Sequence, residues 1–126
     1  MKTIVHTDNA PAAIGPYSQA VRSGDTVYLS GQIGLDPTTM MLSGKDVAAQ
    51  AEQMFKNIQA VAEAAGGSLG DIVKMTIYLT DMQDFERVNT VMQHFFEAPY
   101  PARAAIEIAG LPKGALVEAD AIMVLD

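Results

Sequence analysis

Between Asp46 and Ala65 the apolar residues recur every three to four positions, and a short way further on they alternate one by one. This switch of period from 3.6 to 2 constrains the fold more than any other feature. An amphipathic helix and a half-buried strand each have one apolar face to cover, and they can cover each other. Val47, Ala51, Met54, Ile58, Val61 and Ala65 make the helical stripe, widened by Phe55 and Ala62. Ser43 or Asp46 is placed to cap its start, and Gly66-Gly67 ends it. In the strand that follows, Val73, Met75, Ile77 and Leu79 share one face up to Thr80. A second helix is expected from Asp84 to Glu97. Phe85, Val88, Met92, Phe95 and Phe96 form its apolar face, Asp84 serves as N-cap, and Pro99 prevents its continuation.

Further strands are expected at Thr26–Ser30, Arg103–Ile108 and Val117–Leu125. Weaker ones are expected at Lys2–Thr7 and Tyr17–Ser23, on either side of the loop Asn9–Pro16. The order β-β-β-α-β-α-β-β predicts an α+β fold, a mixed sheet with two helices on one face. The other face would carry Lys74, Thr76, Tyr78, Tyr28, Ser30 and one set from Arg103, Ala105 and Glu107. That is too polar for a monomer's core, yet richer in Ala and Tyr than a freely solvated face. Burial against another subunit is the expectation.

At 126 residues the chain is the size of one domain, residues 1–126. It has no cysteine, which excludes disulfides, thiolate nucleophiles and Cys-ligated metals and fits a reducing, cytoplasmic setting. The longest apolar run is five residues, Ala121 to Leu125, so no membrane span is expected. The first eight residues lack the apolar stretch of a secretory signal. A net charge of −7 argues against a nucleic-acid partner, because cationic contacts to phosphates dominate such affinity.

His6 and His94 lie in different elements without metal-ligand spacing, so no metal site is expected. Gly31-Gln-Ile-Gly34 and Gly67-Ser-Leu-Gly70 have a GxxG spacing but nothing else of a nucleotide-binding fingerprint, and read as turn glycines. Arg103 opens an Ala-rich strand, where small neighbours leave its guanidinium fork free for a carboxylate. Pairing with Glu107 is the structural alternative. Glu118 opens the last strand among Leu116, Val117 and Ala119. Partial burial there would raise its pKa and suit it to proton transfer, whereas an outward-facing carboxylate would titrate normally. Asp120 shares its face. Tyr17, behind Gly15-Pro16, stands at a rigid loop-to-strand corner of the kind that presents binding residues. Met40 and Met41 are open to sulfoxide formation if exposed.

Five ordered segments together resemble a known family: Ile14-Gly-Pro-Tyr-Ser-Gln-Ala20, Leu29-Ser-Gly-Gln-Ile33, Asp71-Ile-Val-Lys74, Pro101-Ala-Arg-Ala-Ala-Ile-Glu-Ile108 and Leu111-Pro-Lys-Gly-Ala-Leu-Val-Glu118. Over essentially its whole length the chain is similar to the RidA (YjgF/YER057c/UK114) family of 2-iminobutanoate/2-iminopropanoate deaminases. The resemblance implies a chorismate-mutase-like α+β fold with a six-stranded mixed sheet. It also implies a homotrimer with ligand sites in the clefts between subunits, and hydrolysis of small enamine and imine acids to 2-oxo acids and ammonia without a cofactor. By position, Arg103 matches the arginine that grips the substrate carboxylate, and Glu118 the acid that positions or activates water. Tyr17 and Asn89 match pocket residues. Ser30 and Gly31 match the cleft-lining loop, where Gly31 would offer its carbonyl to the imine nitrogen. Ala105 stands where the family often has Cys, and the resemblance leaves it a backbone amide to contribute. The connector Glu97–Pro101 is shorter than in some members, which bears on the rim of the cleft. Two competing readings are a module that binds 2-oxo acids without turning them over, and an endoribonuclease. The acidic charge and the lack of a catalytic His pair weigh against the second.

Overall fold

The helix–strand switch around residue 66 builds a two-layer fold in the computed structural model, which describes residues 1–126. Six strands form one mixed sheet in the order β1-β2-β3-β6-β4-β5: β1 Lys2–Val5, β2 Ala20–Ser23, β3 Thr26–Ile33, β4 Ile72–Leu79, β5 Ala102–Glu107 and β6 Val117–Val124. Two helices, α1 Val47–Ala64 and α2 Phe85–Phe95, cover one face. β4 and β5 are parallel and joined through α2, whereas every other pairing is antiparallel. The core lies between helices and sheet, where Met54, Phe55 and Ile58 of α1 meet Met75, Ile77 and Leu79 of β4 and Met123 of β6.

Asp46 caps α1, its side chain accepting from the Ala49 N–H at 2.8 Å. α2 is shorter than its periodicity suggests. It stops at Phe95 because Phe96 turns extended and buries itself edge-on to Phe55, 5.9 Å between ring centroids. Asp84 makes no side-chain cap. A 3-10 turn, Met82–Asp84, precedes the helix, and Asp81 caps that turn by accepting from the Gln83 N–H.

Two β-bulges decide which side chains face which layer. On β4, Ile72 pairs with Met123 and Lys74 with Ile122, so Val73 is the extra residue. Ile72 therefore takes the buried place that alternation assigns to Val73, which lies exposed. On β3, Leu29 pairs with Ala121 and Gln32 with Ala119, leaving Ser30 and Gly31 opposite Asp120 alone. β3 runs on past this bulge to Ile33, beyond the expected end at Ser30, with its alternation shifted. Tyr17, Ser18 and Gln19 precede β2 as irregular chain rather than as strand.

The far face of the sheet carries Lys74, Thr76, Tyr78 and Tyr28 as expected, and departs from expectation at β5. β5 pairs in register with β4, Arg103 beside Met75 and Ala105 beside Ile77, so Arg103, Ala105 and Glu107 stand on the helix side. Ala102, Ala104 and Ile106 take the far face instead. On the same face lie Ile4, Tyr28 and Val124, all exposed, and between them and β5 stand Lys74, Thr76, Tyr78, Glu118 and Asp120, so the face mixes apolar with polar side chains. No helix is long and apolar enough to cross a membrane.

Candidate active site

Arg103 sits on β5, the edge strand, and its side chain leans onto α2. Nη1 donates to Asn89 Oδ1 and to the Met92 sulfur at 3.6 Å, while the guanidinium carbon lies 5.1 Å from the centre of the Phe85 ring. The pairing with Glu107 does not form, because Glu107 Oε1 accepts from the Met82 N–H at 2.8 Å. The three ion pairs of the chain, His6–Asp8, Arg22–Asp25 and Glu52–Lys56, leave Arg103 without a carboxylate. One side of the fork is thus fixed by α2, and Nε and Nη2 are free beside a cavity of about 420 Å³ lined by Asn89, Met92, Gln93, Tyr100, Pro101 and Arg103. The free edge of β5 adds donors to this side. Ile108 N–H donates inward to Leu79 O at 2.8 Å. The alternation of a parallel ladder then points the N–H groups of Arg103, Ala105 and Glu107 outward.

Glu118 belongs to a different place. It lies at the start of β6, between Ile33 of β3 and Tyr78 of β4. Its carboxyl occupies the space beside the Gly31 α-carbon: a Cβ built there would come within 2.9 Å of the Glu118 carboxyl carbon. Gly31 therefore leaves room for Glu118 and is not a turn glycine. Gly34 is likewise a close-approach position, where a Cβ would meet the Gln50 carbonyl oxygen of α1 at 2.4 Å. Around the carboxyl is a cavity of about 130 Å³ whose walls include Ile14, Tyr17, Gly31, Ile33, Leu35 and Met40. Burial among these groups raises the Glu118 pKa above its ordinary value, and the Asp120 carboxylate raises it further. Asp120 in turn accepts a hydrogen bond from the Tyr78 hydroxyl at 2.9 Å. That bond first, then burial and the charges of Asp120 and Glu118, raises the phenol's pKa.

The structure thus gathers Tyr17, Gly31 and Glu118 at one cavity and Asn89 and Arg103 at another. Ser30 and Ala105 line neither. The Ser30 hydroxyl donates to Ser18 O and its N–H to Gln19 O at 3.0 Å, tying the Tyr17 corner to β3. In the sheet register, Arg103 is three residues along and two strands across from Glu118. At roughly 3.3 Å per residue and 4.8 Å per strand the two backbones are about 14 Å apart. Their side chains also leave opposite faces, Arg103 toward α2 and Glu118 toward the far side.

Sequence reasoning overlooked the residues that hold these loops. Buried Gln19 accepts from the Thr7 N–H and donates to the carbonyls of Thr7, Ala10 and Pro11, pinning the segment before Tyr17. Asn57 donates to Ile33 O and Leu35 O, and Gln50 accepts from the Leu116 N–H. Gln50 and Asn57 fall on the apolar stripe of α1, and an amide at a core-facing position is the mark that could have found them. Lys113, in left-handed backbone at φ 59°, also borders the Glu118 cavity. No three His, Asp or Glu side chains stand close enough together to share a metal ion.

A six-stranded mixed sheet with two helices on one face, an arginine without an ion-pair partner at its edge and a half-buried glutamate on its far face define a small α+β protein with two candidate site groups. The chain belongs to the family described as endoribonuclease L-PSP, that of RidA and YjgF, whose profile matches residues 7–125. It is 46% identical over 125 residues to the 2-iminobutanoate/2-iminopropanoate deaminase of Dermatophagoides farinae, covering 99% of this chain and 98% of that protein. It is 54% identical to the crystal structure of RidA from an Antarctic Psychrobacter, with a TM-score of 0.95 over 98% of this chain and 99% of that one. The structure of E. coli TdcF with bound serine matches at 43% identity and a TM-score of 0.94, covering 98% and 99%.

Proposed function

We propose that this chain is a deaminase of short 2-imino acids and their enamine tautomers, releasing 2-oxo acids and ammonia, with its site completed between copies of the chain. The observation that carries this reading is the pairing of an acid-free arginine fork with a glutamate whose pKa burial has raised, on one family scaffold. Arg103 takes the substrate carboxylate through its free N–H groups, helped by the outward N–H of Ala105. This fixes the imine carbon and makes the encounter with water an oriented one. Glu118 accepts a proton from water as the oxygen bonds to the imine carbon and the C=N electron pair moves to nitrogen. It passes that proton to nitrogen to complete the carbinolamine, then takes the hydroxyl proton and delivers it to nitrogen as the C=O bond forms, the C–N bond breaks and ammonia leaves. Gly31 C=O orients the imine N–H, and Tyr17 and Asn89 border the substrate.

The 14 Å separation and the opposite faces support a site in which Arg103 of one copy works with Glu118 of another. Ile4, Tyr28, Ile106 and Val124, exposed on the far sheet face, supply apolar contact area for a homotrimer. The chain acts as one domain over residues 1–126, and its cysteine-free composition fits a reducing compartment such as the cytoplasm. The experiment is subunit complementation. Arg103→Ala and Glu118→Gln are each inactive alone in an assay where an amino-acid oxidase generates the imine and semicarbazide traps what remains. Unfolded and refolded together at equal amounts they regain about a quarter of wild-type activity, the fraction of interfaces with both residues intact. No recovery in mixed oligomers would refute the shared site. No acceleration by wild type would leave a 2-oxo-acid binding module.

A further inference from the structure

The loop after β3 holds a methionine in a conformation that suits glycine. Met40 N–H donates to Asp36 O at 2.8 Å, Asp36 N–H donates to Met41 O at 2.9 Å, and Asp36 Oδ1 accepts from the N–H groups of Thr38 and Thr39. This closed turn fixes Met40 at φ 59°, the left-handed region where a Cβ crowds the backbone. The turn's hydrogen bonds are main-chain or come from Asp36 and Thr39, so none needs a side chain at position 40. What that side chain does is fill space. Met40 is half-buried against Ile33, Leu35 and Ala115, and it borders two cavities at once. One is the 130 Å³ cavity of Glu118, Gly31 and Tyr17, and the other is a groove of about 690 Å³ running past Met41, Leu42 and Leu116. Met40 and Lys113 are the residues common to both walls.

We infer that Met40 is a specificity-determining residue, the wall that ends the Glu118 cavity and limits substrates to short side chains. The inference rests on the deaminase reading and deepens it. A flexible thioether on a rigid turn makes an apolar stop, and behind it lies open volume for a longer chain. Met40→Gly removes four heavy atoms and relieves the left-handed backbone, so the variant keeps its fold. The imine of leucine carries three carbons more than that of alanine, which the vacated space accommodates.

The test compares wild type, Met40→Gly and Met40→Leu on imines generated from alanine, 2-aminobutyrate and leucine by an amino-acid oxidase. Met40→Gly raises kcat/KM for the leucine imine relative to the alanine imine at least about tenfold, the usual worth of an added methylene's fit. Met40→Leu keeps the wild-type ratio. An unchanged ratio in Met40→Gly overturns the wall. Absence of turnover in all three proteins is instead a failure of the deaminase reading. Calorimetric titration with pyruvate and 4-methyl-2-oxopentanoate then decides the wall separately: Met40→Gly gains affinity for the longer acid, and equal affinities in the variant and wild type refute it.

Discussion

Arg103 tests the site most directly, because the structure separates its fork geometry from its charge. Nη1 is engaged by Asn89 and Met92, and Phe85 supports the guanidinium plane, so Nε and Nη2 remain for a carboxylate. Two charge-assisted hydrogen bonds of about 1.5–3 kcal/mol each correspond to roughly 3–5 kcal/mol once they share a partner. Arg103→Ala therefore lowers kcat/KM by about 10²- to 10⁴-fold, since each factor of ten is about 1.4 kcal/mol. Arg103→Lys keeps a point charge but loses the fork, the stacking on Phe85 and the tether to Asn89, and falls between the two at roughly 10- to 100-fold. Stability moves little in either variant, because the side chain is exposed and has no acid partner. The assay is semicarbazide competition for kcat/KM, with thermal unfolding run in parallel. A lysine variant within threefold of wild type would refute the bidentate geometry. An alanine variant that loses several degrees of melting temperature would show that the arginine is structural.

The remaining expectations concern the glutamate and the supports of its cavity. The Glu118 pKa is raised in the folded state, so its ionisation opposes folding: stability is unaffected below the ordinary carboxylate pKa and falls as pH rises through the raised one. Glu118→Gln therefore matches wild type in melting temperature near pH 4 and exceeds it near pH 8, and equal curves at both would contradict the burial argument. Asp120→Asn removes the second cause of the shift and moves the acid limb of the kcat/KM profile to lower pH; an unmoved limb would mean that another group controls it. Asn57→Ala strips the side-chain donor from the carbonyls of Ile33 and Leu35, at about 2–4 kcal/mol, read as a drop of roughly 1–2 M in the urea midpoint. Gly34→Ala drives a Cβ into the Gln50 backbone of α1 and costs at least about 2 kcal/mol; an undiminished midpoint would show that α1 yields easily.

The sequence by itself determined the elements and their class. The stripe from Val47 to Ala65 becomes α1 with Asp46 as its cap, and six strands and two helices follow in the expected order. These are local matters, since a period of 3.6 or 2 and a capping side chain act within a few residues of themselves. Tyr17, Arg103 and Glu118 stand out as candidates in the sequence as well, because a tyrosine behind Gly15-Pro16, an arginine among alanines and an acid among aliphatics are unusual neighbours along the chain. What the tertiary structure decided is where those side chains point. An extra residue at Val73 exchanges it with Ile72, and the bulge at Ser30 and Gly31 opens the space that the Glu118 carboxyl fills. The parallel register of β5 against β4 sends Arg103 to the helix side, opposite Glu118. Register and bulges are set by the packing of non-local strands and by polar core residues such as Gln50 and Asn57, which answer to loops far away in sequence. A one-residue shift reverses every side chain of a strand, so alternation alone leaves the facing of each site residue open until its partner strand is in place.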